Sequence, residues 1–204
     1  MKPSKTGTTA MRNIIAITQI TIDGVMQAPG GPDEDVTSHF THGGWAMKYM
    51  DDTIQQELDE TISGEFDMIL GRRTYDIFAG YWPHHDDNPI GKAFNKATKY
   101  VASRSLQRLD WNNSQVVQGD VVAALRQLKK SDGPELHIWG SSALLQTLIA
   151  ADLVDEYRLW ICPLVLGTGK RLFENGVPPR DLALVKSRST STGVLINTYR
   201  STRS

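Results

Sequence analysis

Two periodicities alternate along the chain. Apolar runs of strand length are followed by segments whose apolar residues recur every three or four positions, the spacing of one helix face. Asn13 to Ile22 (NIIAITQITI), rich in β-branched residues, predicts a central strand. Asp51 to Ile62 predicts a helix with Ile54, Leu58 and Ile62 on one face, and Phe66 to Leu70 a short strand. Gly71-Arg72-Arg73-Thr74-Tyr75 then leads into a short helix ending near Gly80. A helical piece near Lys92 to Ala97 precedes strands over Lys99 to Ser103 and Gln115 to Gln118. Asp120 is placed to cap a helix over Val121 to Lys129. Leu136 to Trp139 reads as a strand that breaks at Gly140-Ser141-Ser142, after which Leu144, Leu145, Leu148 and Ile149 share one helix face. Glu156 to Leu166 is a long apolar strand, and Leu182 to Ser189 and Val194 to Tyr199 flank a Ser191-Thr192-Gly193 turn.

Strands alternating with helices and closed by a hairpin predict an α/β fold. Its central sheet is mostly parallel, with helices on both faces and a C-terminal antiparallel hairpin. Neither a repeat nor a linker interrupts the pattern, so residues 11–204 are expected to form one domain, and the polar residues 1–10 (MKPSKTGTTA) a flexible tail. Val25 to Trp45 has no steady period and carries many Gly, Pro, Asp and His residues. An irregular stretch of that length is usually a functional loop, and its Gly43-Gly44-Trp45 end argues that it is docked.

Composition narrows the function classes. The 204 residues suffice for one sizeable core, and a net charge of −1 offers no general attraction for nucleic acid or an anionic membrane. No apolar run approaches bilayer length, and the first ten residues lack a signal core, so a cytoplasmic protein is expected. The single Cys162 lies in an apolar run and reads as a buried, inert thiol. His39 and His42, and the His84-His85-Asp86-Asp87 run, fall in loop composition, so no metal site is expected.

The chemistry gathers at strand ends. Gly71-Arg72-Arg73-Thr74, Ser103-Arg104-Ser105 and Gly140-Ser141-Ser142 each follow a strand, and open α/β sheets bind ligands at that edge. Ser141 and Thr74 could offer hydroxyls, beside backbone N–H groups, to a phosphate; Ser141 could equally be a plain helix cap. Arg72, Arg73 and Arg104 supply positive charge suited to a 2′-phosphate, which favours NADPH over NADH. No G-x-G-x-x-G follows the first strand, and Gly167-Thr168-Gly169 precedes no strong helix, so the Rossmann fingerprint is absent. Trp45, Tyr49, Trp82 and Trp139 are candidates to line the pocket of a planar substrate ring, with core packing as the competing role.

Ile22-Asp23-Gly24, Leu70 to Tyr75, Tyr100 to Arg104, Gly140-Ser141-Ser142 and Leu153 to Tyr157, in this order, resemble the dihydrofolate-reductase-like superfamily. Within it the chain is similar to the reductase domain of the bifunctional riboflavin-biosynthesis deaminase/reductase, in a stand-alone bacterial subgroup. The resemblance implies an NADPH-dependent reductase acting on a pterin-like or pyrimidine ring, often as a homodimer. The closest named activity is reduction of 5-amino-6-(5-phosphoribosylamino)uracil, with dihydrofolate reduction as the alternative.

Carried onto these positions, Gly71, Arg72, Arg73 and Thr74 would hold the cofactor's phosphates. Ser103 and Arg104 would meet its adenosine side, and Gly140, Ser141, Ser142, Ala143 and Leu144 its pyrophosphate. Asp23 and Gly24 would border the nicotinamide. Two positions depart from the pattern. Trp139 stands where the riboflavin-pathway reductases carry a substrate-reading Glu. Asp51, Asp52 and Glu57 lie on or near the first helix, where dihydrofolate reductases place a catalytic carboxylate, and the proton could come from Asp51, Asp52 or an ordered water. A non-catalytic nucleotide- or flavin-binding module on the same fold is the second reading.

Overall fold

The computed structural model describes residues 11–105, 108–174 and 176–202; the expected tail at residues 1–10 lies outside them. Eight strands form one sheet: β1 (Ile14–Thr21), β2 (Phe66–Gly71), β3 (Lys99–Ala102), β4 (Ser114–Val117), β5 (Glu135–Trp139), β6 (Glu156–Cys162), β7 (Leu182–Ser189) and β8 (Leu195–Ser201). Their order is β4-β3-β2-β5-β1-β6-β8-β7. Strands β1 to β6 are parallel, while β8 runs antiparallel to β6 and β7 antiparallel to β8. The expected fold is the observed one.

β1 sits between β5 and β6, and seven of its eight residues are buried, as its unbroken apolar sequence requires. Side chains alternate across the sheet and divide the core in two. On one face Ile14, Ala16, Ile69, Leu136 and Ile138 pack against Leu125 of α4 (Val121–Leu128) and Leu144, Leu145, Leu148 and Ile149 of α5 (Ser142–Ala150). On the other, Phe66, Met68, Leu70 and Val101 meet Ile62 of α1 (Asp52–Ile62), Tyr75 of α2 (Arg72–Tyr81) and Phe94 of α3 (Pro89–Lys96). No described helix is long and apolar enough to cross a membrane.

β6 ends at Cys162, four residues short of the sequence expectation. Pro163 has no N–H to give the ladder, and Leu164 N–H turns back onto the Cys162 carbonyl at 2.8 Å. Burial pushes the Cys162 thiol up to about 11, which keeps it protonated and inert.

The sheet's N-terminal edge is fastened by two ion pairs. Arg12 pairs with Asp67 and donates to the Pro134 carbonyl at 2.6 Å. Lys129 Nζ, at the end of α4, lies 2.5 Å from Asp155, whose carboxylate also accepts the Ile14 N–H at 2.7 Å. Removing one member of a buried pair strands the other charge, so Lys129→Ala should cost about 3–5 kcal/mol in urea unfolding. Lys96 and Glu65 are 76% and 78% exposed, and Lys96→Ala should cost less than about 1 kcal/mol. Equal losses at the two sites would refute the distinction.

Candidate active site

A cleft of about 780 Å³ opens over the C-terminal ends of β1, β2, β3 and β5. The turns after β2, β3 and β5 form its floor, so the three strand ends singled out from sequence do meet in one place. One wall is apolar, made by Ile17, Leu58, Phe78, Trp82, Trp139 and Trp160. The opposite rim carries Pro29, Gly30, Glu34 and Asp35 from the irregular loop, together with Lys170.

The turns after β2 and β5 are locked to each other. Gly71 N–H donates to Ser141 Oγ at 3.0 Å, and Ser141 N–H donates to Thr74 Oγ1 at 3.0 Å. Gly140 and Ser141 both adopt left-handed backbone (φ 59° and 57°), which turns the chain sharply into α5. The Ser141 and Thr74 hydroxyls that sequence offered to a phosphate are therefore used to join the turns. The helix starts leave a ligand their backbone N–H groups, beside the O–H of Thr74, which serves the turn only as an acceptor. Asp51, Asn88 and Asp120 cap α1, α3 and α4 with their side chains, whereas α2 and α5 have no side-chain cap. Two uncapped helix N-termini thus meet at the cleft floor, each with unpaired N–H groups and the positive end of its dipole.

Residues 12–196 match the RibD C-terminal domain family. The chain belongs to this family. It is 30% identical over 193 residues to the uncharacterized protein YyaP of Bacillus subtilis strain 168, covering 92% of this chain and 94% of that one. Solved structures share its fold at lower identity. A protein of Shewanella sp. PV-4, assigned provisionally to riboflavin biosynthesis, superposes with a TM-score of 0.66 at 19% identity, over 94% of this chain and 99% of that one. Dihydrofolate reductase of Enterococcus faecalis, complexed with NADP(H) and RAB-propyl, gives 0.58 at 15% identity, over 94% of this chain and 97% of that one. The fold is thus of the riboflavin-pathway reductase type.

Several residues expected from this family's chemistry sit elsewhere. Asp51 lies outside the cleft: it accepts from Ile54 N–H at 3.0 Å and from the Ser191 hydroxyl at 2.6 Å, and these bonds hold its carboxyl below the usual range. Asp52 is exposed in the first turn of α1, and buried Glu57 is held at 2.7 Å by Lys186 of β7. The α1 residue that reaches the cleft is Leu58. Trp45 is buried beneath the loop, its indole donating to the Gln27 carbonyl at 2.8 Å, and Tyr49 packs beside it against the same cluster. Trp82 and Trp139 do line the cleft, joined by Trp160, which the apolar run of β6 concealed. Asp23 and Gly24 form a latch behind the rim rather than part of the wall. Asp23 accepts from Gly167 N–H at 2.8 Å and Leu166 N–H at 3.2 Å, and Gly24 carbonyl accepts from Leu172 N–H at 3.0 Å.

The irregular loop is a strap pinned by one carboxylate. Asp35 binds Arg73 at 2.9 Å from one side and Lys170 at 2.5 Å from the other. Burial alone would raise its pKa; the bonds from Lys170 and Thr37 outweigh that and lower it. Gln27 adds two bonds of 3.0 Å to the Asp35 and Thr37 carbonyls. Gly43 is needed because a Cβ there would lie 2.2 Å from the Pro32 carbonyl oxygen. Of the three sequence-predicted cations, Arg73 is bound to Asp35 and Arg72 to Asp76 at 2.7 Å, while Arg104 is exposed with no acid partner among the described residues.

Asp23 gives the latch a pH dependence. Burial would raise its pKa, yet the Thr21 hydroxyl and the Gly167 and Leu166 amides bring it down to about 2. A depressed carboxylate contributes stability that is full above its unfolded value, near pH 4, and is lost as pH falls toward 2. Asp23→Asn should lower stability at pH 7 and flatten the acid limb between about pH 4 and 2. An unchanged slope in acid unfolding followed by circular dichroism would refute this.

Proposed function

We propose that the chain is an NADPH-dependent reductase of a pterin-like or pyrimidine substrate, with 5-amino-6-(5-phosphoribosylamino)uracil as the closest named one. The observation that carries this reading is the pair of uncapped helix N-termini at the cleft floor, set beside a wall of aromatic side chains. A pyrophosphate needs N–H donors and positive potential without a covalent partner, and the first turns of α2 and α5 provide both. Arg72 to Thr74 and Ser142 to Leu144 would hold it. Phe78, Trp82, Trp139 and Trp160 suit a planar heterocycle and exclude water from it. Bound there, a nicotinamide would supply hydride. The chain's own share is to orient the two rings and to manage the accompanying proton.

Arg104 is the cation best placed for a 2′-phosphate, because among the described residues it has no acid to give up. Titrating NADPH and NADH by tryptophan fluorescence should show tighter NADPH binding in the native chain. Arg104→Ala should weaken NADPH about tenfold or more and leave NADH nearly unchanged, as expected for one charge-assisted contact. Arg73→Ala should do less, since Asp35 already holds that side chain. Equal losses for both nucleotides would remove the 2′-phosphate assignment, and NADPH affinity no better than millimolar would remove the cofactor.

We also propose a homodimer through β7. β7 is an edge strand of the sheet, and its Leu184 and Val185, at a register shift against β8, are 56% and 51% exposed. Val185→Glu should convert a dimer to a monomer in light scattering; a monomeric native chain would overturn the proposal.

A further inference from the structure

With Asp51, Asp52 and Glu57 held outside the cleft, the side chains that could move a proton within it are few. The ionisable residues that line it are Glu34, Asp35, Arg72, Arg73, Arg104 and Lys170. Arginines stay protonated, and Asp35 and Lys170 neutralise each other at 2.5 Å. Among the described residues Glu34 alone remains. Its Oε2 accepts the Gly30 N–H at 2.7 Å and the Gly31 N–H at 3.2 Å, while no described residue binds its Oε1. Gly30 has no side chain to interfere, as a Cβ there would sit 3.2 Å from that Oε2. The neighbouring Asp35 is tied to both Arg73 and Lys170, so the backbone that carries Glu34 is fixed over the cleft.

We propose that Glu34 is the acid of this active site, its Oε1 delivering the proton that accompanies reduction. The inference rests on the reductase reading above. In the step, the substrate's C=N carbon gains the hydride of the reduced nicotinamide, the π pair moves to nitrogen, and that nitrogen forms its N–H bond as the Glu34 O–H bond breaks. The carboxylate left behind regains a proton from solvent. A proton donor must hold its proton near neutral pH, and the surroundings of Glu34 act in that direction. Burial raises its pKa, against the pull of the Gly30 and Gly31 N–H bonds, and the charge of Asp35 raises it further. The other charges facing the cleft are the four cations, of which Arg73 and Lys170 are bound by Asp35 and Arg72 by Asp76.

The test compares the native chain with Glu34→Gln and Glu34→Asp. NADPH affinity is measured first by fluorescence; its absence would defeat the cofactor reading, not the assignment of the acid. Single-turnover NADPH oxidation is then followed against pH with the ribosylaminouracil and with dihydrofolate. Glu34→Gln should bind NADPH within about threefold of native yet lose about 100-fold or more in the oxidation rate, with Glu34→Asp between them. The native rate should fall as pH rises through the Glu34 pKa, and the Gln variant should lack that limb. A Gln variant within threefold of the native rate would overturn the proposal. Carboxyl carbon NMR of the native chain, with the Gln variant to identify the resonance, decides the matter without any substrate. A Glu34 carboxyl titrating clearly above about 4.3 supports the role, and one at or below that value refutes it.

Discussion

The reciprocal bonds between the turns after β2 and β5 are the constraint on which the site depends. A backbone N–H buried at a turn must find an acceptor, and here each turn satisfies the other: Gly71 gives to the Ser141 hydroxyl and Ser141 gives to the Thr74 hydroxyl. The exchange fixes the starts of α2 and α5 side by side, and it does so with side chains that would otherwise have capped those helices or met a ligand. Loss of either hydroxyl would orphan a donor and also let the two helix starts drift apart. The uncapped state of the two helix starts is in this sense a by-product of how the turns are joined.

The rim follows a different principle. The floor is held by neutral hydrogen bonds, whereas the strap is held by charge, through Asp35 between Arg73 and Lys170. Arg73 belongs to the turn after β2 on the floor and Lys170 to the rim, so one carboxylate ties the strap to both. Glu34 inherits its position from this arrangement without sharing in the pairing.

Much of the fold was legible because periodicity and β-branched runs report directly on burial, as for β1 and for the face of α5. Gly71, Thr74, Gly140 and Ser141 were legible as a group because they punctuate strand ends, although the partners of the two hydroxyls were not, since the contact spans from Thr74 to Ser141. The family resemblance points to a carboxylate on α1, yet Asp51 carries the ordinary sequence signature of a helix cap, which is what it is. Glu34 was hidden for the converse reason. A loop without period gives no indication of which of its acids faces inward, and the Pro-Asp-Glu-Asp run reads only as polar composition. Trp160 was similarly masked, because an apolar strand does not declare which of its faces ends at a cleft.

The place of β5 in the sheet has a consequence for how this protein comes into being. β5 lies between β1 and β2, pairing Leu136 with Ile14 on one side and Glu135 with Phe66 on the other. Until the chain has been synthesised through Trp139, its first two strands have no common neighbour, and the cleft's two principal turns cannot meet. The central pairing closes a loop from Ile14 to Leu136, an entropic cost met before any of its contacts form. A nascent chain that stops short of β5 holds apolar strands with open edges, and the cleft arises in the same event that closes them.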